Sequence, residues 1–252
     1  MSRPFYTAFS TLDVRVLNEA NMLSERQQTI FQDVVQRYIH DAHPVGSQML
    51  LDDAKLDVSP ATVRNDMGDL EDRGYLFQPH TSAGRIPTEK GWRYYLDTFL
   101  KDKEVAKTTQ DELVKVVKAY RHSKHELLKH LAQSLADLTA HAVFVAFSPN
   151  DTYYTGISKL FSQPEFDEVD MIRAISEVVD HLDDVMPEFF SQLTDDSTVL
   201  LGRDNPFNRA CGLVLSPIPQ RSGLFGVLGP IRQDYATNIS LVNFTRNLLA
   251  DA

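Results

Sequence analysis

Arg64 and Asn65 are the residues of this chain best suited, by type and place, to read another molecule. An arginine can donate two hydrogen bonds to guanine, and an asparagine can pair twice with adenine, both in the major groove of DNA. They lie in the stretch SPATVRNDMGDLEDRGYLFQPHTSAGRIPTEKGWRYY, Ser59–Tyr95, which reads as helix, glycine stop, short strand, polar loop and second helix. Ser59 is a good N-cap because its hydroxyl accepts from a free first-turn amide, and Pro60 suits the first helical position. Val63, Met67 and Leu70 recur at i, i+4 and i+7 and point inward together. The outer face then carries Ala61, Arg64, Asn65 and Gly68, with Thr62 on its shoulder; Thr62 and the amides near Ser59 are placed for phosphate. Gly74 stops the helix, and Tyr75–Phe77 is a plausible strand. The loop Gln78–Pro87 holds His80, Thr81 and Ser82, with Arg85 expected at its tip, where a wing reaches phosphate or the minor groove. Thr88 caps a further helix to about Lys101, whose Trp92, Tyr95, Leu96 and Phe99 are core and whose Arg93 and Tyr94 are candidates to face phosphate.

The competing reading is a small helical core whose charges form a solvated face. The charge balance gives it weight: from Phe77 to Lys101, Arg85, Lys90, Arg93 and Lys101 face only Glu89 and Asp97, yet the Arg64 helix itself carries Asp66, Asp69, Glu71 and Asp72. The net charge of −10 argues against sequence-blind binding of nucleic acid over a broad surface, and is compatible with one local face. Other chemistry finds no constellation. There is no nucleophile elbow, no metal-protease helix, no Walker loop and no paired cysteine. No catalytic residue, metal ligand or cofactor is therefore expected. Cys211 alone excludes an internal disulfide and fits a reducing, cytoplasmic compartment. His122, His125 and His130 have metal-like spacing but no accompanying carboxylate or cysteine cluster, so they read as a solvated helix face. Gly223, Gly226 and Gly229 mimic a phosphate loop, yet they lie in or beside a strand and open no helix. The clearest apolar run, Ala142–Phe147, has six residues, far short of a membrane span.

The elements that must position Arg64 and Asn65 come just before them. Ser24 caps a helix with the stripe Ile30, Phe31, Val34, Val35, Tyr38 and Ile39. Asp41–Pro44 ends it, Pro44–Ser47 turns, and Ser47 starts a second helix through Met49, Leu50 and Ala54. Residues 1–21 lack a signal-peptide centre and read as a loose extension ahead of a usual start at Met22. The alternative is an arm that packs through Phe5, Tyr6 and Phe9. Asp102–Thr109 is the expected domain boundary. Glu112–His141 is helical, and its seam Leu127, Leu128, Leu131, Leu135 and Leu138 packs on its own domain or on a second copy. Strands are expected at Ala142–Phe147, Tyr153–Ile157, Thr198–Leu201, Gly212–Ser216 and Leu224–Leu228, with Gly229–Pro230 ending the sheet. Helices are expected at Asp170–Leu182, Pro187–Leu193 and Asp234–Leu249.

The run VSPATVRNDMGDLEDRGYL followed by QPHTSAGRIPTEKGWRYYLD resembles the DNA-binding half of the heat-inducible transcription repressor family, HrcA. The PVGS turn, the FSQPEF run at Phe161–Phe166, the Gly202–Pro206 segment and GVLGPIRQDYATNISLVNFTRNLL at Gly226–Leu249 are similar as well. The resemblance implies an α+β protein: an N-terminal winged helix-turn-helix domain and a C-terminal GAF-like α/β domain. The parts are then an extension at 1–21, the winged helix at 22–103, a connecting helical segment at 104–140 and the GAF-like domain at 141–252. Only Ser148–Tyr154 separates Phe147 from the next family-like run, so this looks like a shortened member lacking most of the family's inserted dimerising segment. The family implies a repressor of heat-shock chaperone genes that binds an inverted-repeat operator in double-stranded DNA as a homodimer. It also implies that a chaperonin modulates activity, that heat releases the repressor, and that no membrane is involved. The expected DNA-contacting residues are Ser59, Ala61, Thr62, Arg64, Asn65, His80, Thr81, Ser82, Arg85 and Arg93. Two alternatives stay open: a winged-helix regulator whose α/β domain binds a small molecule, and a protein-interaction module.

Overall fold

The computed structural model describes residues 7–8, 23–52, 58–101, 103–167, 169–180, 182–191, 194–221 and 223–251. The extension at 1–21, with Phe5, Tyr6 and Phe9, lies outside the described residues apart from the backbone of Thr7 and Ala8. The chain divides into two compact units, Ser10–Leu100 and Met1–Phe9 with Lys101–Ala252. The first described element, β1 (Thr7–Ala8), belongs to the sheet of the second unit.

In the Ser10–Leu100 unit, α1 (Glu25–Asp41) starts at a capping box in which Ser24 accepts from the Gln27 amide and Gln27 returns a bond to the Ser24 amide. Its stripe Ile30, Phe31, Val34, Val35 and Tyr38 is buried. Ala42, in the left-handed region at φ 58°, ends it. A short α2 (Ser47–Asp52) follows, then α3 (Pro60–Asp72), which buries Val63, Met67 and Leu70 as their spacing requires. β2 (Leu76–Phe77) pairs antiparallel with β3 (Ile86–Pro87). Val45 bridges to Arg85 through two backbone hydrogen bonds of 3.0 and 2.9 Å, joining the hairpin to the turn before α2. α4 (Glu89–Phe99), capped by Thr88, seals the core with Trp92 and Leu96. Phe31, Tyr75, Tyr94 and Phe99 form an aromatic cluster beside them.

The second unit has a six-stranded sheet in the order β1-β6-β7-β8-β4-β5, with β4 (Ala142–Ser148), β5 (Asp151–Thr155), β6 (Thr198–Leu201), β7 (Cys211–Pro217) and β8 (Leu224–Pro230). All pairings are antiparallel except β1 with β6. β7 and β8 are buried along their whole length because helices cover both faces. One face carries Phe144, Leu200, Leu213, Leu215 and Leu228 against α7 (Ile157–Phe161), α8 (Val169–Asp180) and α9 (Leu182–Ser191). The other meets α6 (Lys124–Thr139) and α10 (Tyr235–Ala250), with α5 (Lys107–Tyr120) packed beside them. Leu127, Leu128, Leu131 and Leu135 of the α6 seam are thus buried in their own unit, with Leu138 half-buried.

Several expected bounds shift. Ser148 pairs with Asp151, so Pro149 and Asn150 make a two-residue turn and β5 starts earlier than Tyr153. It ends at Gly156, whose φ of 76° turns the chain into α7 and takes Ile157 out of the strand. α9 begins at Leu182 and holds Pro187 within it, not at its first position. Gly229 and Pro230 continue β8 instead of ending the sheet, since Pro230 still faces Cys211. Gly226 and Gly229 serve close packing: a Cβ on Gly226 would lie 2.7 Å from the Phe144 ring, and one on Gly229 would overlap the His141 ring.

Two outcomes follow from this packing. A Cβ on Gly91 would overlap the Tyr75 carbonyl oxygen, so Gly91→Ala should destabilise the first unit by about 1–3 kcal/mol, read by urea unfolding through the fluorescence of the buried Trp92. His141 is buried, and neither ring nitrogen has a hydrogen-bond partner among the described residues. Burial pushes its pKa below the ordinary histidine value; Arg232 adds to this and Glu165 offsets it in part. The unfolded chain then binds the proton first, so stability is complete above about pH 6.5 and falls as the pH drops toward the lowered native value. His141→Gln should flatten that decline in denaturation followed by circular dichroism from about pH 7 to pH 5.

Candidate nucleic-acid interface

The start of α3 is built by two local devices. The Ser59 hydroxyl accepts from the Thr62 amide at 3.1 Å and lies 2.9 Å from the Thr62 hydroxyl. Pro60 occupies the first turn without an amide to satisfy. With Val63, Met67 and Leu70 turned inward, Ser59, Pro60, Ala61, Arg64 and Asn65 are exposed and Thr62 is half-buried. Among the described residues no side-chain hydrogen bond or ion pair engages Arg64 or Asn65. Their donors and acceptors face solvent from one small-residue surface.

The acidic residues of α3 point elsewhere. Asp66 is buried and takes the Arg26 Nε at 2.7 Å and Nη2 at 3.3 Å, fastening α3 to the start of α1. Asp69 lies 3.4 Å from the Gln27 side-chain amide. Glu71 accepts from the Arg85 Nε at 2.8 Å and from the Gln78 amide at 3.2 Å. Only Asp72, at the far end of the helix, is exposed without such a partner among the described residues. The charge pattern that spoke against an anionic ligand is largely consumed in holding the unit together.

The β2–β3 hairpin exposes Pro79, His80, Thr81 and Ser82 at its tip. Gln78 organises this tip, donating from its side-chain amide to the carbonyls of Thr81 and Ala83 at 3.2 and 2.7 Å. The His80 ring lies 3.3 Å from the Ser82 hydroxyl. Arg85 is not at the tip. It stands at the stem, because its backbone is bonded to Val45 and its side chain to Glu71. Gly84 permits this approach, since a Cβ there would overlap the Val45 backbone. Arg93 is half-buried and bonds Glu89 one turn back, at 2.9 Å. Tyr94 does not face outward: it is half-buried among Phe31, Tyr75 and Phe99, and burial raises its pKa above the ordinary tyrosine value. Of the ten residues expected from sequence, eight (Ser59, Ala61, Thr62, Arg64, Asn65, His80, Thr81 and Ser82) therefore lie on two surfaces, the α3 start and the hairpin tip. Sequence reasoning missed the role of Glu71 and Gln78, since their partners stand seven and fourteen positions away or across a hairpin with no periodic mark.

The remaining candidates give no second site. His125 stacks on Phe147 and His130 on Tyr120. Among the described residues no group of three or more histidines, cysteines and carboxylates is arranged to hold a metal ion, and no helix is long and apolar enough to cross a membrane.

The family model described as HrcA protein C terminal domain matches residues 90–239. The heat-inducible transcription repressor HrcA of Pelotomaculum thermopropionicum is 41% identical over 123 residues, which are 49% of this chain and 35% of that protein. That of Synechococcus elongatus is 43% identical over 126 residues, 50% and 36% of the two chains. That of Chlorobium phaeobacteroides is 37% identical over 150 residues, 60% and 40%. The matched stretch thus spans between 35% and 40% of the length of these relatives. Among solved structures, the crystal structure of a hypothetical protein has the same fold, with a TM-score of 0.69 at 19% identity over 91% of this chain and 98% of that one.

The cap that shapes the α3 start has a measurable weight. Ser59→Ala should cost about 1 kcal/mol of stability, and Ser59→Gly less, in unfolding followed through Trp92.

Proposed function

The chain belongs to the HrcA family, and on that premise we propose that it is a cytoplasmic transcriptional repressor that binds DNA through a winged helix-turn-helix unit. In this reading residues 22–103 form the reader, with α3 as recognition helix and the β2–β3 hairpin as wing. Residues 104–140 connect it to a GAF-like α/β domain at 141–252. The observation that carries the reading is the exposed pair Arg64 and Asn65 at the capped start of α3, unengaged among the described residues, with most acidic groups of that helix engaged elsewhere. Arg64 and Asn65 meet base edges, Ser59, Ala61 and Thr62 sit against phosphate, and His80, Thr81 and Ser82 approach from the wing. Arg85 and Arg93, each neutralised by a glutamate, serve to hold the wing and α4 in place more than to contact the duplex. The operator is an inverted repeat in genes for heat-shock chaperones, bound by a homodimer whose two-fold axis matches that of the DNA. A chaperonin keeps the repressor active and heat releases it.

A second reading, a ligand-responsive regulator, has less support. Within the 101–252 unit a cavity of about 190 Å³ lies between the start of α5 and α10, lined by Val105, Leu138 and Leu241 with Lys103 and Thr237 at its polar side. That cavity is smaller than the sites that enclose most small-molecule ligands; a larger, more open one of about 550 Å³ in the same unit, lined by Asp195, Pro217, Pro219, Arg246 and Asn247, has the volume of a ligand site but a more polar lining.

The test is fluorescence anisotropy with the inverted-repeat duplex that the protein itself selects from a randomised pool, against a scrambled duplex. Arg64→Ala should cost about 1–3 kcal/mol on the selected duplex and relax the preference at one base pair, with a smaller loss on the scrambled one. Equal losses on both duplexes would show that Arg64 does not read bases.

A further inference from the structure

The Glu71 carboxylate ties both strands of the hairpin to α3. Its Oε1 accepts from the backbone amide of Gln78, directly after β2, and its Oε2 from the side chain of Arg85, directly before β3. Arg85 is held on its other side as well, by the two backbone bonds to Val45. Gln78 in turn bonds the carbonyls of Thr81 and Ala83 and so shapes the tip. A displacement of Glu71 is therefore passed to the tip through Gln78 and to the stem through Arg85. The Arg64 surface begins seven residues, about two turns, before Glu71 on the same rigid helix.

We propose that Glu71 is a positioning residue for DNA recognition: it fixes the wing at one angle to the recognition helix, so that the tip residues His80 to Ser82 and the Arg64–Asn65 face engage one duplex together. The proposal rests on the DNA-binding reading above and adds to it a residue that does not touch DNA. Its consequence runs against simple electrostatics. Deleting a carboxylate near a polyanion ordinarily tightens binding to any duplex. If Glu71 positions the wing, deleting it weakens binding to the selected duplex while leaving scrambled-duplex binding unchanged or slightly tighter.

The experiment uses the full chain with Glu71→Ala, the milder Glu71→Gln, Arg85→Ala and the double variant Glu71→Ala/Arg85→Ala. Binding to the selected and scrambled duplexes is measured by anisotropy, and amide hydrogen exchange at Gln78 is measured on the free proteins. Circular dichroism selects the variants that keep the wild-type helix content. Glu71→Ala should lose about fivefold or more on the selected duplex only, with Glu71→Gln in between. The double variant should bind no worse than about the poorer single one, because the Arg85 side chain acts through Glu71 and has nothing further to lose once Glu71 is gone. Exchange at Gln78 should speed up in Glu71→Ala. Selected-duplex affinity that is unchanged or higher in Glu71→Ala overturns the proposal, as do additive losses in the double variant. Wild-type protein that fails to prefer its selected duplex defeats the DNA-binding reading and the recognition role together. Faster exchange at Gln78 in that case would still locate the failure in that reading and not in the clamp.

Discussion

The rotation of α3 about its own axis decides what this unit can present, and the bond between Asp66 and Arg26 fixes it. Val63, Met67 and Leu70 set which side is buried, but an apolar stripe tolerates some roll. A buried carboxylate does not, since leaving it without a partner carries a large desolvation penalty. Asp66 is buried and, among the described residues, reaches one guanidinium, that of Arg26 on α1. Once that pair forms, Ala61, Arg64, Asn65 and Gly68 have one direction left, outward. The cap at Ser59 then fixes where the helix starts along its axis, and Glu71 fixes what stands beside it.

This arrangement reconciles an acidic chain with the proposed DNA-binding surface. A net charge of −10 does not favour a nonspecific grip on phosphate. Specificity must come instead from a small face with complementary hydrogen bonds, and from keeping negative groups away from it. Three of the four carboxylates on α3 bond to partners on α1 or the hairpin, and Asp72 stands at the end far from Ser59.

Much of this was legible in the sequence because it is local. The Ser59 and Thr88 caps, the stripes of α1 and α3 and the strand Thr198–Leu201 are set by neighbours within a turn or two. Where the sequence misled, the cause was most often a distant partner. Arg85 looks like a loop-tip cation until Glu71 and Val45 are brought beside it. Tyr94 looks exposed on a helical wheel until Phe31 and Tyr75 close over it. Pro187 looks like a helix start because proline is favoured at the first helical position, yet α9 already runs from Leu182. Gly229 and Pro230 look like a stop, but pairing across the sheet with Gly212 and Cys211 extends β8 through them. The FSQPEF run gives no sign of its role alone; Glu165 within it bonds Arg232, a buried residue of the turn after β8.

The central claim is that the outward face at the start of α3 lies against base edges. Site-specific photo-crosslinking reads this directly, with a photoreactive side chain at position 65 in one protein and at position 72 in another, each bound to the selected duplex. The account predicts crosslinks from position 65 to bases in the major groove of each half-site and few or none from position 72. Crosslinks from position 72 that match or exceed those from position 65, or none from position 65 in a complex shown to be bound, would contradict it.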